Sequence, residues 1–288
     1  MAINRRKFLH QAVRSSVVFS IVPRFVLGGN GFTPPSDRVT LGFIGTGKQG
    51  RGLVNGFAKK AQVIAAADVD HRKLSLFKSI TEKLYAASAG TIAYKGLTTY
   101  SDFRELLARK DIDAVVIATP DHCHAVGTIM AANAKKHVYC EKPLAHSIGE
   151  GRAMVKAINQ NKVVLQTGSM QRSRENHRRT CEHVRYGYVG EIKEVLVNVG
   201  KAAIDCTLPE QPTPSTLDWD LWLGPAQARP FNAELSPPVE QDIFPNWRHY
   251  KEFGGGYLSD WGAHMFDIAQ WALDKDRSGP EKFFPPDG

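Results

Sequence analysis

The residues best suited to chemistry fall into three groups. Gly45-Thr46-Gly47-Lys48-Gln49-Gly50 is a G-x-G-x-x-G run, and Asp68 follows Gly50 by 18 residues. A tight turn at Gly45, close backbone approach at Gly47 and close helix packing at Gly50 suit a pyrophosphate, and Asp68 suits an adenosine ribose. His122 and Lys142 each stand just past a short apolar run, at 114–118 and 136–140. Asp260 and His264 are spaced i, i+4, which puts a carboxylate and an imidazole on one face of a helix.

The elements that must hold these groups alternate in type. A mainly apolar strand at 39–44 enters the glycine run, a helix continues to about residue 60, and a second apolar strand at 63–67 ends at Asp68. A helix over 101–110 precedes the strand at 114–118, and another runs to about 134 before the strand at 136–140. Repeated strand–helix units predict a parallel, doubly wound α/β sheet. Ligands in such sheets sit at the carboxyl ends of the strands. The glycine run, His122 and Lys142 therefore share one rim, with the phosphates facing a helix N-terminus.

Further along, a helix is expected over 151–161, a strand over 163–168, a helix over 173–186 and a strand over 192–200. Residues 207–241 are proline-rich and read as loop. Within them Trp219 and Trp222 lie among carboxylates, which suits stacking on a sugar or a packed lid equally. Gln171 and Arg172 after the strand, and Trp247 and Arg248 before the glycines at 254–256, are candidate substrate contacts.

Gly45 to Gly50 with Asp68, Ala118-Thr119-Pro120-Asp121-His122, and above all Glu141-Lys142-Pro143 resemble the Gfo/Idh/MocA oxidoreductases. Residues 254–267 resemble the same family's Gly-Gly…Asp-x-x-x-His-x-x-Asp segment, ending at Asp267. The resemblance implies a Rossmann-type domain at 37–160 and a substrate domain at 161–288, an α/β unit with an open, mostly antiparallel sheet. It implies NAD as cofactor, held by Gly45, Thr46, Gly47, Lys48, Gln49, Gly50, Asp68, Thr119, Pro120, His122, Glu141 and Lys142. It also implies a Lys142–Pro143 peptide that is often cis in relatives. Members of this kind run on past the Asp-x-x-x-His segment, so the chain is expected to be a C-terminally truncated version. Its second sheet would then be incomplete, which puts a homo-oligomer in doubt.

The chemistry implied is oxidation of a secondary hydroxyl on a sugar, glycoside or cyclitol. The hydroxyl proton needs a base and the developing alkoxide needs a fixed positive charge. His264 is assigned as base, Asp260 as its orienter and Lys142 as the cation and proton relay. Asp267, one turn beyond, is a candidate contact to a substrate hydroxyl or a packing cap. Two alternatives stay open: a glycosidase working by transient oxidation and elimination, and a non-catalytic remnant.

Composition bounds the rest. The 288 residues are 42% hydrophobic and 23% charged, which excludes a disordered chain, a collagen and a disulfide miniprotein. No apolar run is long enough for a membrane helix. The net charge of +8 is concentrated at the start: Arg5, Arg6, Lys7, Arg14 and Arg24 precede residue 37 and no acid does. The remainder carries 32 positive against 29 negative charges, so no nucleic-acid partner is read. Arg5-Arg6-Lys7-Phe8-Leu9 resembles a twin-arginine signal, so residues 1–36 are read as signal and linker and the protein is expected in the periplasm. Cys123, Cys140, Cys181 and Cys206 form no C-x-x-C pair, so no metal is expected and free thiols are.

Overall fold

The computed structural model describes residues 37–89 and 96–284, and the N-terminal arm expected as an export signal lies outside them. Six strands form one sheet: β1 (Thr40–Ile44), β2 (Gln62–Ala67), β3 (Thr98–Tyr100), β4 (Ala114–Ile117), β5 (His137–Cys140) and β6 (Leu165–Thr167). Every neighbouring pair is parallel and the order is β3-β2-β1-β4-β5-β6. Strand order reverses direction between β1 and β4, which opens a crevice at the carboxyl edge.

The strands are apolar because both faces of the sheet are covered. Alternation sends Leu41 and Phe43 of β1 to one face, where they pack with Val54, Leu74, Phe77 and Val116. Ile44 turns to the other face with Leu106, Val115, Ile117 and Val138. The covering helices are α1 (Lys48–Phe57), α2 (His71–Ala89), α3 (Phe103–Leu107), α4 (Asp121–Asn133) and α5 (Ile148–Asn161). Helix α5 starts three residues earlier than expected. Ser147 and Glu150 form a reciprocal capping box there, each side chain accepting from the other's backbone N–H.

The second half holds α6 (Glu175–Arg185), α7 (Trp219–Leu223), α8 (Gly256–Asp260) and α9 (Gly262–Ala272), with 3-10 turns at Met170–Ser173, Val239–Gln241 and Asn246–His249. Residues 192–200, expected as a strand, join no ladder among the described residues. Nearby pairing is limited to isolated bridges, Ala202 with Gly256 and Ile204 with Tyr250. Leu196 is 86% exposed there, so apolar alternation alone gave the segment no partner to pack on. The loop-rich 207–241 stretch packs Leu217, Trp219, Trp222, Phe231 and Leu235 into one core with Trp247 and Phe253. Trp219 and Trp222 stack on each other at 4.5 Å and are buried, so the pair is packing and not an open sugar platform. That loop docks on the end of β2, where Asp218 donates its N–H to the Val69 carbonyl at 3.0 Å.

All four cysteines are free. Among the described residues no helix is long and apolar enough to cross a membrane.

Candidate active site

At the carboxyl edge of β1, β2, β4 and β5 lies a cavity of about 600 Å³. Its floor is the glycine run. Gly45 has φ +88, and a Cβ there would stand 2.7 Å from the Ala118 and Thr119 backbone. A Cβ on Gly50 would meet the Gly45 carbonyl oxygen at 2.4 Å, so the helix packs as closely as the motif requires. A Cβ on Gly47 would meet nothing within 4 Å. Gly47 also caps α1 without any side-chain bond. The first N–H groups of α1 therefore face open space with no side-chain acceptor from the cap, which is what a bound phosphate needs.

Asp68 follows β2 directly and lines the cavity, but much of its capacity is spent on the loop. Its Oδ2 accepts from the Thr46 N–H at 2.6 Å and from Thr46 Oγ1 at 2.8 Å, and its Oδ1 accepts from the Asp70 N–H at 2.9 Å. An ionised carboxylate has further lone pairs for a ribose hydroxyl. Thr46 is fully buried beneath the floor and Lys48 and Gln49 line it. Thr119, Pro120 and Glu141 form the adjoining wall. Glu141 is buried with its pKa raised by desolvation, and it accepts from Tyr139 Oη at 3.0 Å. The residues present thus fit a dinucleotide.

The reacting groups converge on the far wall. The Lys142–Pro143 peptide is cis. Lys142 Nζ donates to the Asp260 carbonyl at 3.0 Å and forms an ion pair with the Asp260 carboxylate, Oδ1 side. Arg248 approaches Asp260 Oδ2 at 3.9 Å and lies over Trp247 at 4.2 Å and Phe244 at 5.2 Å. His264 lines the same cavity, is 7% exposed, and its Nδ1 is buried without a hydrogen-bond partner. Burial pushes its pKa below the ordinary value and Lys142 adds to that, against the carboxylates of Asp260 and Asp267.

The expected Asp260–His264 orienting bond is therefore corrected. Helix α8 ends at Asp260 and α9 begins at Gly262, so the pair is split across a junction at Trp261. The carboxylate goes to the Lys142 ammonium, because a charge-assisted bond outcompetes one to a neutral ring.

Three other expectations are also redrawn. His122 does not line the cavity: its Nε2 lies 3.2 Å from the Trp222 carbonyl and its ring packs against Trp222 and Phe253. Burial pushes its pKa down to about 4, so it is a neutral packing residue at pH 7. Arg172 and Asp267 face each other, Nε to Oδ2 at 2.7 Å and Nη2 to Oδ1 at 2.8 Å, and Asp276 also accepts from Arg172. That bidentate pair joins α9 to the Met170–Ser173 turn outside the cavity. Gln171, Trp247 and Arg248 do line it, and Gln171 Oε1 is buried without a partner.

Two groups went unread in the sequence. Asp121, in the first turn of α4, lines the cavity while being 6% exposed, and burial raises its pKa to about 8. Asp242, in the left-handed region at φ 45, pairs with Arg51 at 2.6 Å and with Lys48 at 3.3 Å. It ties the 237–246 loop to the first turns of α1. Asp121 lies inside the Ala118–His122 motif, but its burial is set by the fold; Asp242 carries no motif, since a contact 191 residues away in the chain has no local signal. Among the described residues no group of three His, Cys, Asp or Glu is placed to hold a metal.

Residues 39–169 match the GFO_IDH_MocA model, an oxidoreductase family with an NAD-binding Rossmann fold. Residues 196–284 match the model of that oxidoreductase family's C-terminal alpha/beta domain. The chain is 31% identical over 245 residues to levoglucosan dehydrogenase of Pseudarthrobacter phenanthrenivorans, covering 82% of this chain and 51% of that one. It is 30% identical over 159 residues to inositol 2-dehydrogenase of Rubrobacter xylanophilus, covering 54% of this chain and 42% of that one. The chain thus spans about half the length of the curated relatives it matches. An NAD-binding protein from Listeria innocua overlays with a TM-score of 0.53 at 21% identity, over 82% of this chain and 55% of that one, a likeness of fold.

Proposed function

The chain belongs to the GFO_IDH_MocA oxidoreductase family, with its NAD-binding Rossmann fold and C-terminal alpha/beta domain, and from that premise we propose an NAD-dependent dehydrogenase of polyhydroxylated rings. The substrate class is a sugar, glycoside or cyclitol oxidised at a secondary hydroxyl. The printed activities of the levoglucosan and inositol relatives support that class. The observation that carries the reading is the convergence of Lys142, Asp260 and His264 on the cavity whose floor is the glycine run.

Bound NAD supplies the acceptor for the carbinol hydride. The residues of the chain do the rest. His264, kept neutral by burial, takes the hydroxyl proton on its unprotonated nitrogen. Lys142 holds its ammonium beside the oxygen where negative charge develops, and Asp260 fixes that ammonium from the opposite half. Arg248 and Gln171 offer donors and an unmet acceptor to ring hydroxyls. Trp247 and Phe244 give the wall an apolar face for the C–H side of the ring.

NAD is preferred over NADP in this reading. A 2′-phosphate would meet the Asp68 carboxylate. Arg72, the nearby cation able to offset it, is engaged by Asp70 through Nε and Nη2, both at 3.3 Å. Calorimetry is expected to show NAD binding roughly tenfold or more tighter than NADP, the scale of a 1.4 kcal/mol repulsion; equal affinities overturn the preference. The activity itself is tested by supplying NAD and a panel of inositols, anhydrosugars and glycosides while following the nicotinamide absorbance. Reduced cofactor with a keto product supports the dehydrogenase. Release of a leaving group with no net reduction would replace it by oxidation–elimination.

A further inference from the structure

A second histidine beside Lys142 has no part in the chemistry above. His124 sits in the first turns of α4 and is 1% exposed. Its ring is wedged between two carbonyls: Nδ1 lies 2.7 Å from the Pro143 oxygen and Nε2 lies 2.9 Å from the Thr119 oxygen. Those oxygens belong to the loops leaving β5 and β4. Thr119 is part of the wall beside the glycine run, and Pro143 is the residue after Lys142.

The ring chemistry makes this an unusual pin. A neutral imidazole has one N–H, so it donates to one carbonyl and turns a lone pair toward the other; only the imidazolium donates to both. Burial, Lys142 and Arg248 oppose the imidazolium, while the Pro143 and Thr119 carbonyls favour it. In either form the ring fills the space between the two loops and donates to at least one buried carbonyl. Losing that donor leaves a dry, unpaired oxygen, which is costly. Both nitrogens point at main-chain oxygens, so neither is turned toward Lys142 or substrate to relay a proton.

We propose that His124 is the positioning residue of this site: by spacing the Thr119 and Pro143 loops it sets where the Lys142 ammonium stands relative to the cofactor wall. Asp260 holds the tip of Lys142 from the far half, and His124 holds the backbone from which that side chain springs. The proposal rests on the dehydrogenase reading for what Lys142 does, and on the carbonyl contacts alone for where it stands.

The test compares the full chain with its His124→Gln and His124→Ala variants in three readouts. These are NADH affinity by fluorescence, turnover on the carbohydrate panel, and the carbon-13 resonance of reductively dimethylated Lys142, assigned by its absence from Lys142→Arg. The expected result is NADH affinity within about threefold of the parent and kcat lower by roughly a hundredfold in the alanine variant, the scale of a 1 Å misplacement. The Lys142 resonance shifts or broadens, and glutamine, which keeps a donor, recovers part of the rate. An unchanged rate and an unchanged Lys142 resonance in a cooperatively melting variant overturn the proposal. NADH affinity falling in step with turnover places His124 on the cofactor wall and also overturns it. Loss of a cooperative melt in both variants makes His124 a folding residue and overturns it as well. If the parent oxidises nothing on the panel, the dehydrogenase reading fails, and the Lys142 resonance then decides the positioning claim by itself.

Discussion

At the scale of single residues, the site divides its labour through burial and charge. Lys142 is held at the wall by its ion pair with Asp260, both side chains largely buried, while His264 is held neutral by desolvation and by the nearby Lys142. A cation to stabilise an alkoxide and a neutral base to take its proton are both present at pH 7 on this account. Lys142→Ala and His264→Ala are each expected to retain NAD binding and lose turnover about a hundredfold or more, the usual scale for a missing acid–base group. The pH profile carries the same logic. His264 works as a base only unprotonated, and its pKa lies below the ordinary 6.5, so activity is expected to rise through a pH below 6.5 and be level at neutrality. An acid limb centred above 6.5, or near-normal turnover in either alanine variant, removes that residue from the chemistry.

At the scale of elements, what local sequence encodes was legible and what distant contacts decide was not. Strand, glycine run, helix, strand and acid follow one another in the chain, so β1, α1, β2 and the cradle at Gly45–Gly50 could be read directly. His122 was read as a cofactor ligand because it follows a strand end. In the fold its side chain turns to Trp222 and Phe253, and those partners come from residues about a hundred or more positions later. Arg172, just past a strand, and Asp267, one turn beyond His264, suit substrate contacts in the sequence; in the fold each is the other's partner across 95 residues. Helix α2 and strand β3 leave little local signal, since α2 lacks a strong motif and β3 is three residues long. Helix α5 starts at Ile148 and not at Gly151 because Ser147-Ile148-Gly149-Glu150 is a plain S-x-x-E cap. That cap sits just after the Lys142–Pro143 turn. Ser147→Ala is expected to lower stability by about 1 kcal/mol, the ordinary worth of an N-cap, read as a fall in the urea midpoint. No change would show that the turn, and not the cap, fixes where α5 begins.

At the scale of the whole molecule, two further expectations stand. We propose that the basic arm at 1–36 directs export by the twin-arginine route with NAD already bound, since a protein that folds before crossing can carry its cofactor. Mass spectrometry of periplasmic protein after long dialysis should find NAD in it; protein confined to the cytoplasm ends the export proposal. The second expectation concerns acid and base stability, and it follows from two neighbours on α4 that burial shifts in opposite senses. His122 has its pKa depressed to about 4, so below 6.5 the unfolded chain takes up a proton that the folded chain refuses until about pH 4. Its neutral burial therefore destabilises the fold progressively as pH falls from 6.5 to 4. Asp121 has its pKa raised to about 8 from an ordinary 3.8, so between those values the folded chain keeps a proton that the unfolded chain has lost. Its burial costs stability progressively as pH rises through that window. Between pH 4 and 6.5 the two slopes oppose each other, each worth about 1.4 kcal/mol per pH unit for one proton. Above 6.5 the Asp121 slope continues without the His122 one. Because His124, Glu141 and His264 add slopes of their own, the two contributions are read as differences in urea midpoint between each variant and the parent. His122→Phe is expected to unmask the Asp121 slope between 4 and 6.5. Asp121→Asn is expected to be more stable than the parent at pH 8 and to converge on it near pH 4. Parallel curves for parent and Asp121→Asn would show that Asp121 is ionised in the fold, neutralised by Lys142 and Arg248 and not by a proton.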